Sequence, residues 1–224
     1  MNELQVALAH ANRLALLVLL VGLFVRGRAQ LCWSFPAYAL AILVGNSLAT
    51  LWPDRFYTPS FWVLKQGTYD ILKMAVALEL AWRAFAAFPG ALRTARLALL
   101  ALLAVSTLAL AALTPSSTYA DLWTWEPGTA TAAIWLLTAT ALLVVWYQLP
   151  VHAWPRAIML GFPPYLLVFV LALDLLGRHG WPALHAWAGI LDSAAYLVLL
   201  FFWNRVVWRC DPAEAAAAAV DKAA

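Results

Sequence analysis

Seven apolar stretches, each about twenty residues long, follow one another along this chain with only short polar segments between them. A helix of ~20 apolar residues crosses the ~30 Å hydrocarbon layer of a bilayer, so each stretch is long enough to span it. With 65% hydrophobic and 11% charged residues, the chain carries more apolar surface than one soluble core can bury. The sequence therefore predicts an all-α, polytopic transmembrane helical bundle surrounded by the lipid bilayer.

The predicted spans use nearly the whole length of 224 residues. Residues 1–209 form a seven-helix transmembrane domain in this prediction, and residues 210–224 form an alanine-rich cytoplasmic tail. The spans are expected at about 5–25, 33–52, 60–83, 94–114, 127–148, 155–176 and 183–205.

Arginines are distributed unevenly between the two sides of this bundle. If the first span begins outside, eight arginines fall on the inner side and two on the outer side. Cytoplasmic segments are enriched in Lys and Arg, so the N-terminus is predicted outside and the C-terminus inside. We expect a multi-pass protein of the bacterial inner (cytoplasmic) membrane. The inner set is Arg26, Arg28, Arg83, Arg93, Arg96, Arg156, Arg205 and Arg209, and the outer set is Arg55 and Arg178.

Four charged residues fall within about 5 Å of the middle of predicted spans, where charge is costly and needs a partner or water. They are Arg13 in the first span, Asp70 and Lys73 in the third, and Asp192 in the seventh. Asp70 and Lys73 are predicted to pair, because residues three apart share a helical face. Arg13 and Asp192 then become mutual partners across the first and last spans, which are neighbours in a closed ring. Without an acidic partner for Arg13, we expect six spans instead of seven, with the N-terminus inside.

Further polar side chains surround these charges, mostly toward the predicted outer half of the bundle. This bias predicts an outward-opening, water-containing cavity that binds a small polar ligand or passes ions or protons. The alternative is a set of buried salt bridges that fixes which helices pack together and binds no ligand. The sequence leaves both open. The candidate site comprises the four charges with Asn46, Lys65, Gln66, Tyr69 and Tyr196, and His10, Asn12, Ser47, Asp174 and Ser193 lie around it.

Two consecutive prolines, Pro163 and Pro164, follow closely after Gly161 near the middle of span six. Proline supplies no amide hydrogen and its ring clashes with the preceding turn, so the carbonyls of Met159 and Leu160 are predicted to lose their helical partners. We expect a kink, with Gly161, Pro163 and Pro164 as its hinge. Broken helices line the binding sites of transporters, but they occur there in corresponding halves, so a single break favours a role in shaping the bundle.

Small residues repeat every four positions along span two, at Ala37, Ala41, Gly45 and Ala49. Small side chains let a neighbouring helix approach closely, so we expect helix packing along this seam. The sequence leaves open whether the seam faces its own bundle or another chain.

Catalytic and metal-binding chemistry finds little support in the sequence. The four histidines are scattered, and neither a Gly-x-Ser-x-Gly turn nor a clustered metal-ligand set occurs, so no catalytic or metal-binding residue is predicted. His10 and His185 are the one pair that could meet to ligate a haem, and the cofactor content is left open. The formal charge of +3 is a weak basic signal and does not predict nucleic-acid binding.

The leading functional hypothesis is a non-enzymatic seven-helix module that binds a small ligand or a partner protein from the outer side. It would be a sensor-like protein or a subunit of a membrane complex, with other membrane subunits as its partners. The first alternative is an ion- or proton-coupled small-solute transporter that uses the four buried charges along a pathway. The second alternative is an intramembrane enzyme or redox subunit.

Overall fold

The computed structural model describes residues 3–56, 58–86, 119–149, 151–178 and 182–209, of which residues 119–127, 175–178 and 182–186 are described by their backbone. Regular structure in these parts of the chain is helical. The elements are α1 (Glu3–Val25), a 3₁₀ helix (Arg28–Leu31), α2 (Ser34–Leu51), α3 (Pro53–Phe56), α4 (Pro59–Ala86), α5 (Tyr119–Trp146), α6 (Ala153–Arg178) and α7 (Pro182–Trp208).

Five of these helices, namely α1, α2, α5, α6 and α7, are long and apolar enough to cross a membrane. Each covers one predicted span, with ends that differ from the prediction by a few residues or, at the start of α5, by about two turns. The five apolar helices indicate a membrane-embedded protein. Helix α4 is equally long but carries five charged side chains, and the predicted span 94–114 and tail 210–224 lie outside the described residues.

Large apolar side chains cover the outer surface of the helices. Trp135 on α5, Ile71 on α4 and Val198 on α7 are each about 70% exposed. The opposite faces hold the core, in which Leu23, Leu137 and other aliphatic side chains are fully buried. An apolar exterior around an apolar core is the arrangement expected of helices in lipid, which solvates such side chains.

The six long helices of the described chain close into a ring. In order around the ring they are α1, α2, α4, α5, α6 and α7, with α7 packed against α1. The prediction that the first and last spans are neighbours is therefore confirmed. Gly22 brings these two helices together, because a Cβ atom there would lie only 2.8 Å from Cγ1 of Val207.

The two ends of the ring are named here after the chain termini nearest to them. The C-terminal end holds the ends of α1 and α7, as the contact between Gly22 and Val207 shows. Helix α6 begins at this end, because the ring centroids of Trp154 and Trp203 are 6.4 Å apart. Helices α1 and α7 therefore run parallel to each other, and both begin at the N-terminal end.

The turn after α1 fastens the C-terminal end of the ring. Gly27 adopts a left-handed backbone with φ of 64°, which glycine accepts without strain, and the chain reverses there. The next residue, Arg28, is 2% exposed and donates hydrogen bonds to the carbonyls of Val206 at 2.6 Å and Arg209 at 2.9 Å. These carbonyls belong to the last turn of α7, so a buried cation caps a helix C-terminus from a distant part of the sequence.

Glu79 of α4 fastens the start of α2 at the same end. Its carboxylate accepts hydrogen bonds from the backbone N–H groups of Trp33 at 3.0 Å and Ser34 at 2.9 Å, and from Oγ of Ser34 at 2.6 Å. Glu79 also forms a salt bridge with Arg83, at 2.7 Å. A carboxylate at a helix N-terminus satisfies amide groups that have no intrahelical partner, so Glu79 caps α2 while it neutralises Arg83.

Aromatic rings fill the ring interior near this end. Phe35 of α2 meets Trp154 of α6 and Trp203 of α7 edge to face, with centroid distances of 5.0 and 4.9 Å. Phe162 lies 5.5 Å from Trp203 in a similar geometry. Edge-to-face pairs place a positive ring edge on a negative ring face, which adds to the stabilisation from packing. The C-terminal end is therefore closed by a compact aromatic core.

The structure shows no interruption of the helix at Pro163 and Pro164, and the kink expected there stays a prediction. Helix α6 runs without interruption from Ala153 to Arg178, with both prolines inside it. Two adjacent prolines remove only two amide donors, and the turns on either side keep their hydrogen bonds. Gly161 lies in close contact with α7, because a Cβ atom there would come within 2.8 Å of Leu199. The role of these three residues as a hinge stays a prediction.

Replacing Arg28 with alanine should destabilise the folded bundle by about 2 kcal/mol, because the last carbonyls of α7 lose a charged donor. The measurement is the thermal unfolding midpoint of the purified protein in detergent. Arg156→Ala is the matched control, since the side chain of that exposed arginine of α6 makes no hydrogen bond among the described residues. Equal midpoints for the two variants would contradict the capping role of Arg28.

Cys32 lies in the same turn, outside the helices, and is fully buried. Its Sγ atom lies 3.6 Å from Oγ of Ser34 and 3.5 Å from the carboxylate of Glu79. Burial, reinforced by the negative charge of Glu79, raises the pKa of the thiol from 9.0 to about 12. Cys32 is therefore an inaccessible, protonated thiol at neutral pH.

Maleimide should fail to label Cys32 in the folded protein and should label it fully after denaturation, because the thiolate is the reacting form. The chain has two cysteines, so Cys210→Ser leaves Cys32 as its only thiol. Mass spectrometry of the reagent-treated variant measures the labelled fraction. Rapid labelling at pH 7 without denaturant would show that the turn does not bury Cys32.

Candidate functional site

A cavity of about 840 Å³ lies inside the ring toward its N-terminal end. It is bounded by α1, α2, α4, α6 and α7, and its volume falls in the range of small-molecule sites. Nearly all the side chains of the predicted site converge on it. Those that line the cavity are Arg13, Asn46, Lys65, Gln66, Tyr69, Lys73, Asp192 and Tyr196.

Arg13 has a different partner from the one that the sequence predicts. Its guanidinium donates through Nη2 to the hydroxyl of Thr50 and to the carbonyl of Asn46, at 3.4 Å, both on α2. It forms no ion pair with Asp192 among the described residues. Helix α1 is nevertheless an unbroken helix of 23 residues, long and apolar enough to cross a membrane. Neutral oxygens and an open cavity serve in place of a carboxylate.

Asp70 and Lys73 form the predicted local pair on α4, with 2.7 Å between Nζ and Oδ1. Lys73 is 3% exposed and lines the cavity, whereas Asp70 lies behind it. The ammonium also lies 5.3 Å from the centroid of the Phe169 ring. Because both charges are buried and paired, this part of α4 brings no net charge into the bundle.

Lys65 enters the cavity one and a half to two turns before this pair. Its ammonium lies 3.5 Å from the centroid of the Trp62 ring and 3.3 Å from Oδ1 of Asn46. A cation above an indole face is stabilised by the ring quadrupole. Lys65 and Arg13 therefore share the oxygens of Asn46, and together they give this side of the cavity a positive charge.

Asp192 lies on the other side of the cavity, on α7. One carboxylate oxygen, Oδ1, is buried without a hydrogen-bond partner in the described part of the chain. The hydroxyl of Tyr165 is close enough to interact with this carboxylate, and Lys73 attracts it electrostatically. A buried carboxylate oxygen without a donor is costly, so this side of the cavity has a strong acceptor to offer.

Two neutral groups near Asp192 also lack partners among the described residues. The hydroxyl of Tyr196, which is 9% exposed, makes no hydrogen bond, and neither does Oδ1 of Asn12. The amide nitrogen of Asn12 donates to the carbonyl of Ser193 at 3.0 Å, which fixes the side chain between α1 and α7. Asn12, Asp192 and Tyr196 all line the cavity, so its wall carries unused hydrogen-bonding capacity.

Gly45 explains how α4 comes close enough to α2 to form this site. A Cβ atom at this position would clash with the hydroxyl of Tyr69 and would lie 3.0 Å from Cγ of Lys65. The small-residue seam of α2 therefore faces its own bundle at Gly45, while Ala37 at its other end is exposed. Tyr69 uses the close approach to donate to the carbonyl of Ile42 at 3.3 Å.

Several cavity-lining side chains were not predicted from the sequence. Tyr38 precedes Ile42 and Asn46 by one and two turns on the same face of α2, so helical periodicity could have identified it. Tyr165 and Phe169 are likewise one turn apart on α6. They look like ordinary core residues because they carry no charge. Thr50, Trp62 and several aliphatic residues of the lining, such as Leu16 and Ile42, were also missed.

Other predicted polar residues lie elsewhere or remain open. Ser47 and Asp174 do not line the cavity, whereas His10 does. The side chain of His185 lies outside the described residues, so its pairing with His10 stays a prediction. No group of three or more His, Cys, Asp or Glu side chains in the described ranges could hold a metal ion.

Gly45→Ala should lower stability by about 1–3 kcal/mol, because the added methyl forces Tyr69 and Lys65 away from α2. Gly67→Ala is the matched control on α4, since a Cβ atom there meets nothing within 4 Å, and it should raise stability by up to about 1 kcal/mol. Thermal unfolding in detergent measures both changes. If both variants shift the midpoint in the same direction, Gly45 does not set the spacing of α2 and α4.

Comparison with known proteins assigns this chain to no established group. No protein-family model matches it, and neither a curated protein nor a solved structure does. No activity can therefore be carried over from a relative. The cavity, its charges and its unpartnered polar atoms are the basis on which a function can be proposed.

Proposed function

We propose that the chain is a seven-span membrane protein with its N-terminus outside and its C-terminus in the cytoplasm. Helix α4 ends at the C-terminal end of the ring, and α5, which leads to α6 through a short link, begins at the opposite end. An additional crossing between α4 and α5 accounts for this change of end, and the apolar stretch 94–114 has the length for it.

The orientation is supported by arginines at the C-terminal end of the ring. Arg26, Arg28, Arg83, Arg205 and Arg209 all belong to this end of the described helices. Because positive residues are retained on the cytoplasmic side, this end is the inner one in our proposal. The cavity then opens toward the outside, in a multi-pass protein of the bacterial inner membrane.

We further propose that the protein binds a small polar ligand in this cavity from the outer side. The observation that carries the proposal concerns two residues that line the cavity, Asp192 and Tyr196. Oδ1 of Asp192 and the hydroxyl of Tyr196 are buried and have no hydrogen-bond partner among the described residues. A network built only to hold helices together would satisfy its own polar groups, because each one left unpaired costs about 1–3 kcal/mol. A ligand with donors removes that cost.

Arg13 supports the same conclusion from the opposite wall. Nη2 donates both of its described hydrogen bonds, so the N–H groups of Nη1 and Nε make none with the described residues. The charges of Arg13 and Asp192 are therefore available to a ligand and are not consumed by each other. The proposed role is a sensor-like module or a subunit of a membrane complex, acting through other membrane subunits.

Small polar molecules should stabilise the protein against heat when they occupy the cavity, and a ligand at 100 times its Kd adds about 2.7 kcal/mol. The experiment is a thermal-unfolding screen in lipid nanodiscs with carboxylates, amines, amino acids, inorganic phosphate and sugars. Arg13→Gln and Asp192→Asn should abolish the stabilisation by any compound that raises the midpoint. Arg156→Gln, outside the cavity, is the control and should retain it.

Two outcomes would contradict this proposal. One is a screen in which no compound raises the midpoint, and the other is stabilisation that persists unchanged in both cavity variants.

A transporter is the second candidate, because Tyr165 and Leu166 line the cavity immediately after Pro163 and Pro164. Uptake of a hit compound into proteoliposomes that is lost in Asp70→Asn and Asp192→Asn would favour transport over simple binding.

A further inference from the structure

The charged groups of the cavity are divided between two sets of helices. Two cations, Arg13 and Lys65, lie on the side formed by α1, α2 and the beginning of α4, and we call this side the cationic pole. Asp192 lies on the side formed by α6 and α7, with the hydroxyls of Tyr165 and Tyr196 close by, and we call this side the acidic pole. The cavity therefore presents opposite charges to different parts of one ligand.

The cationic pole is built to hold an anionic group. Arg13 and Lys65 converge on the two oxygens of Asn46, with the guanidinium 3.4 Å from the carbonyl and the ammonium 3.3 Å from Oδ1. These oxygens fix the positions of both cations without neutralising them. The remaining guanidinium donors form a planar fork that matches the two oxygens of a carboxylate. Trp62, under the Lys65 ammonium, closes this side.

The acidic pole is built to hold a donor with positive charge. Asp192 and Tyr196 both line the cavity, and Oδ1 of Asp192 and the hydroxyl of Tyr196 are buried without a partner among the described residues. Lys73 attracts Asp192, but its own hydrogen bond goes to Asp70 at 2.7 Å. Asp70, Lys73 and Asp192 together therefore leave one net negative charge at this pole. An ammonium group has three donors and can serve both unpartnered oxygens at once.

Two adjacent residues of α1, Asn12 and Arg13, make hydrogen bonds to different helices. Asn12 donates to the carbonyl of Ser193 on α7, while the adjacent Arg13 donates to α2. Neighbouring positions on a helix point in directions about 100° apart, so α1 directs one of these polar side chains toward α7 and the other toward α2. The cavity lining also includes apolar side chains, such as Leu16 and Ile42.

We propose that the ligand of this cavity is a small zwitterion whose carboxylate and ammonium groups are separated by an apolar chain, as in an ω-amino acid. The carboxylate binds Arg13 and Lys65, and the ammonium binds Asp192 and Tyr196. This inference rests on the proposed function and specifies its ligand class. A simple carboxylate leaves the acidic pole unsatisfied, and a simple amine leaves the cationic pole unsatisfied, so each should bind less tightly than a molecule that serves both.

The test compares matched probes on the unaltered chain in lipid nanodiscs, with binding measured by calorimetry. The zwitterions are γ-aminobutyrate, δ-aminovalerate and ε-aminocaproate, and each is paired with the alkanoate and the alkylamine of the same chain length. The best zwitterion should bind at least about tenfold more tightly than either of its matched partners, which corresponds to ~1.4 kcal/mol. Glycine, in which the two charges are adjacent, should bind more weakly than that zwitterion.

Two variants assign the poles to the ends of the ligand. In Arg13→Gln the zwitterion should bind no more tightly than the matched alkylamine, and in Asp192→Asn no more tightly than the matched alkanoate. Circular dichroism and a monodisperse elution profile check that both variants are folded. The comparison on the unaltered chain stands without them if either variant fails to fold.

The outcomes separate this inference from the proposal on which it rests. If alkanoates or alkylamines bind as tightly as the zwitterions, the cavity binds polar ligands but the two-pole inference is wrong. Glycine binding as tightly as the longer zwitterions would likewise overturn the separation of the charges. If none of these probes binds while another small polar molecule does, the ligand class is wrong and the binding function stands. Failure of every compound overturns both.

Discussion

The hydrogen bonds made by the turn between α1 and α2 hold the bundle in register. Arg28 in this turn reaches the last carbonyls of α7, and Glu79 of α4 caps the first amides of α2 immediately after it. Four helices are thereby fixed to one short segment by charged groups in a region of low dielectric, where such hydrogen bonds are strong. The aromatic core of Phe35, Trp154 and Trp203 then packs against a frame that is already closed.

Closing one end of the ring so firmly has a consequence for the other end. The N-terminal end lacks an equivalent aromatic core in the described residues, and the space between its helices is the cavity. Its charged side chains are held by neutral oxygens, by an aromatic ring or by a neighbour on the same helix, as Arg13, Lys65 and Lys73 are. A tightly packed end and an end with unpartnered polar groups support the binding role proposed above.

The sequence predicted the long helices that the structure describes and most of the polar side chains that line the cavity. Charge is costly deep in a membrane, and the depth of a residue can be estimated from its position within a predicted span. The sequence did not identify the partners. Asp70 and Lys73 were paired correctly since they are three positions apart, but Arg13 was assigned to Asp192 although its oxygens lie on α2. The direction of a side chain around a helix axis and the contact of Arg28 with a carbonyl 178 positions away are set by tertiary packing. Neutral wall residues such as Tyr38 carry no comparable cost, so only helical periodicity could have identified them.

The parallel contact between α1 and α7 also determines when the fold can be completed during synthesis. Chains enter the membrane from the N-terminus, so α1 is inserted long before its main neighbour exists. Arg13 finds its oxygens on α2, the very next helix, and is sheltered as soon as that hairpin forms. The hydrogen bonds from Asn12 to Ser193 and from Arg28 to Val206 can form only after α7 has been synthesised. The ring is therefore closed last, when α7 packs against α1.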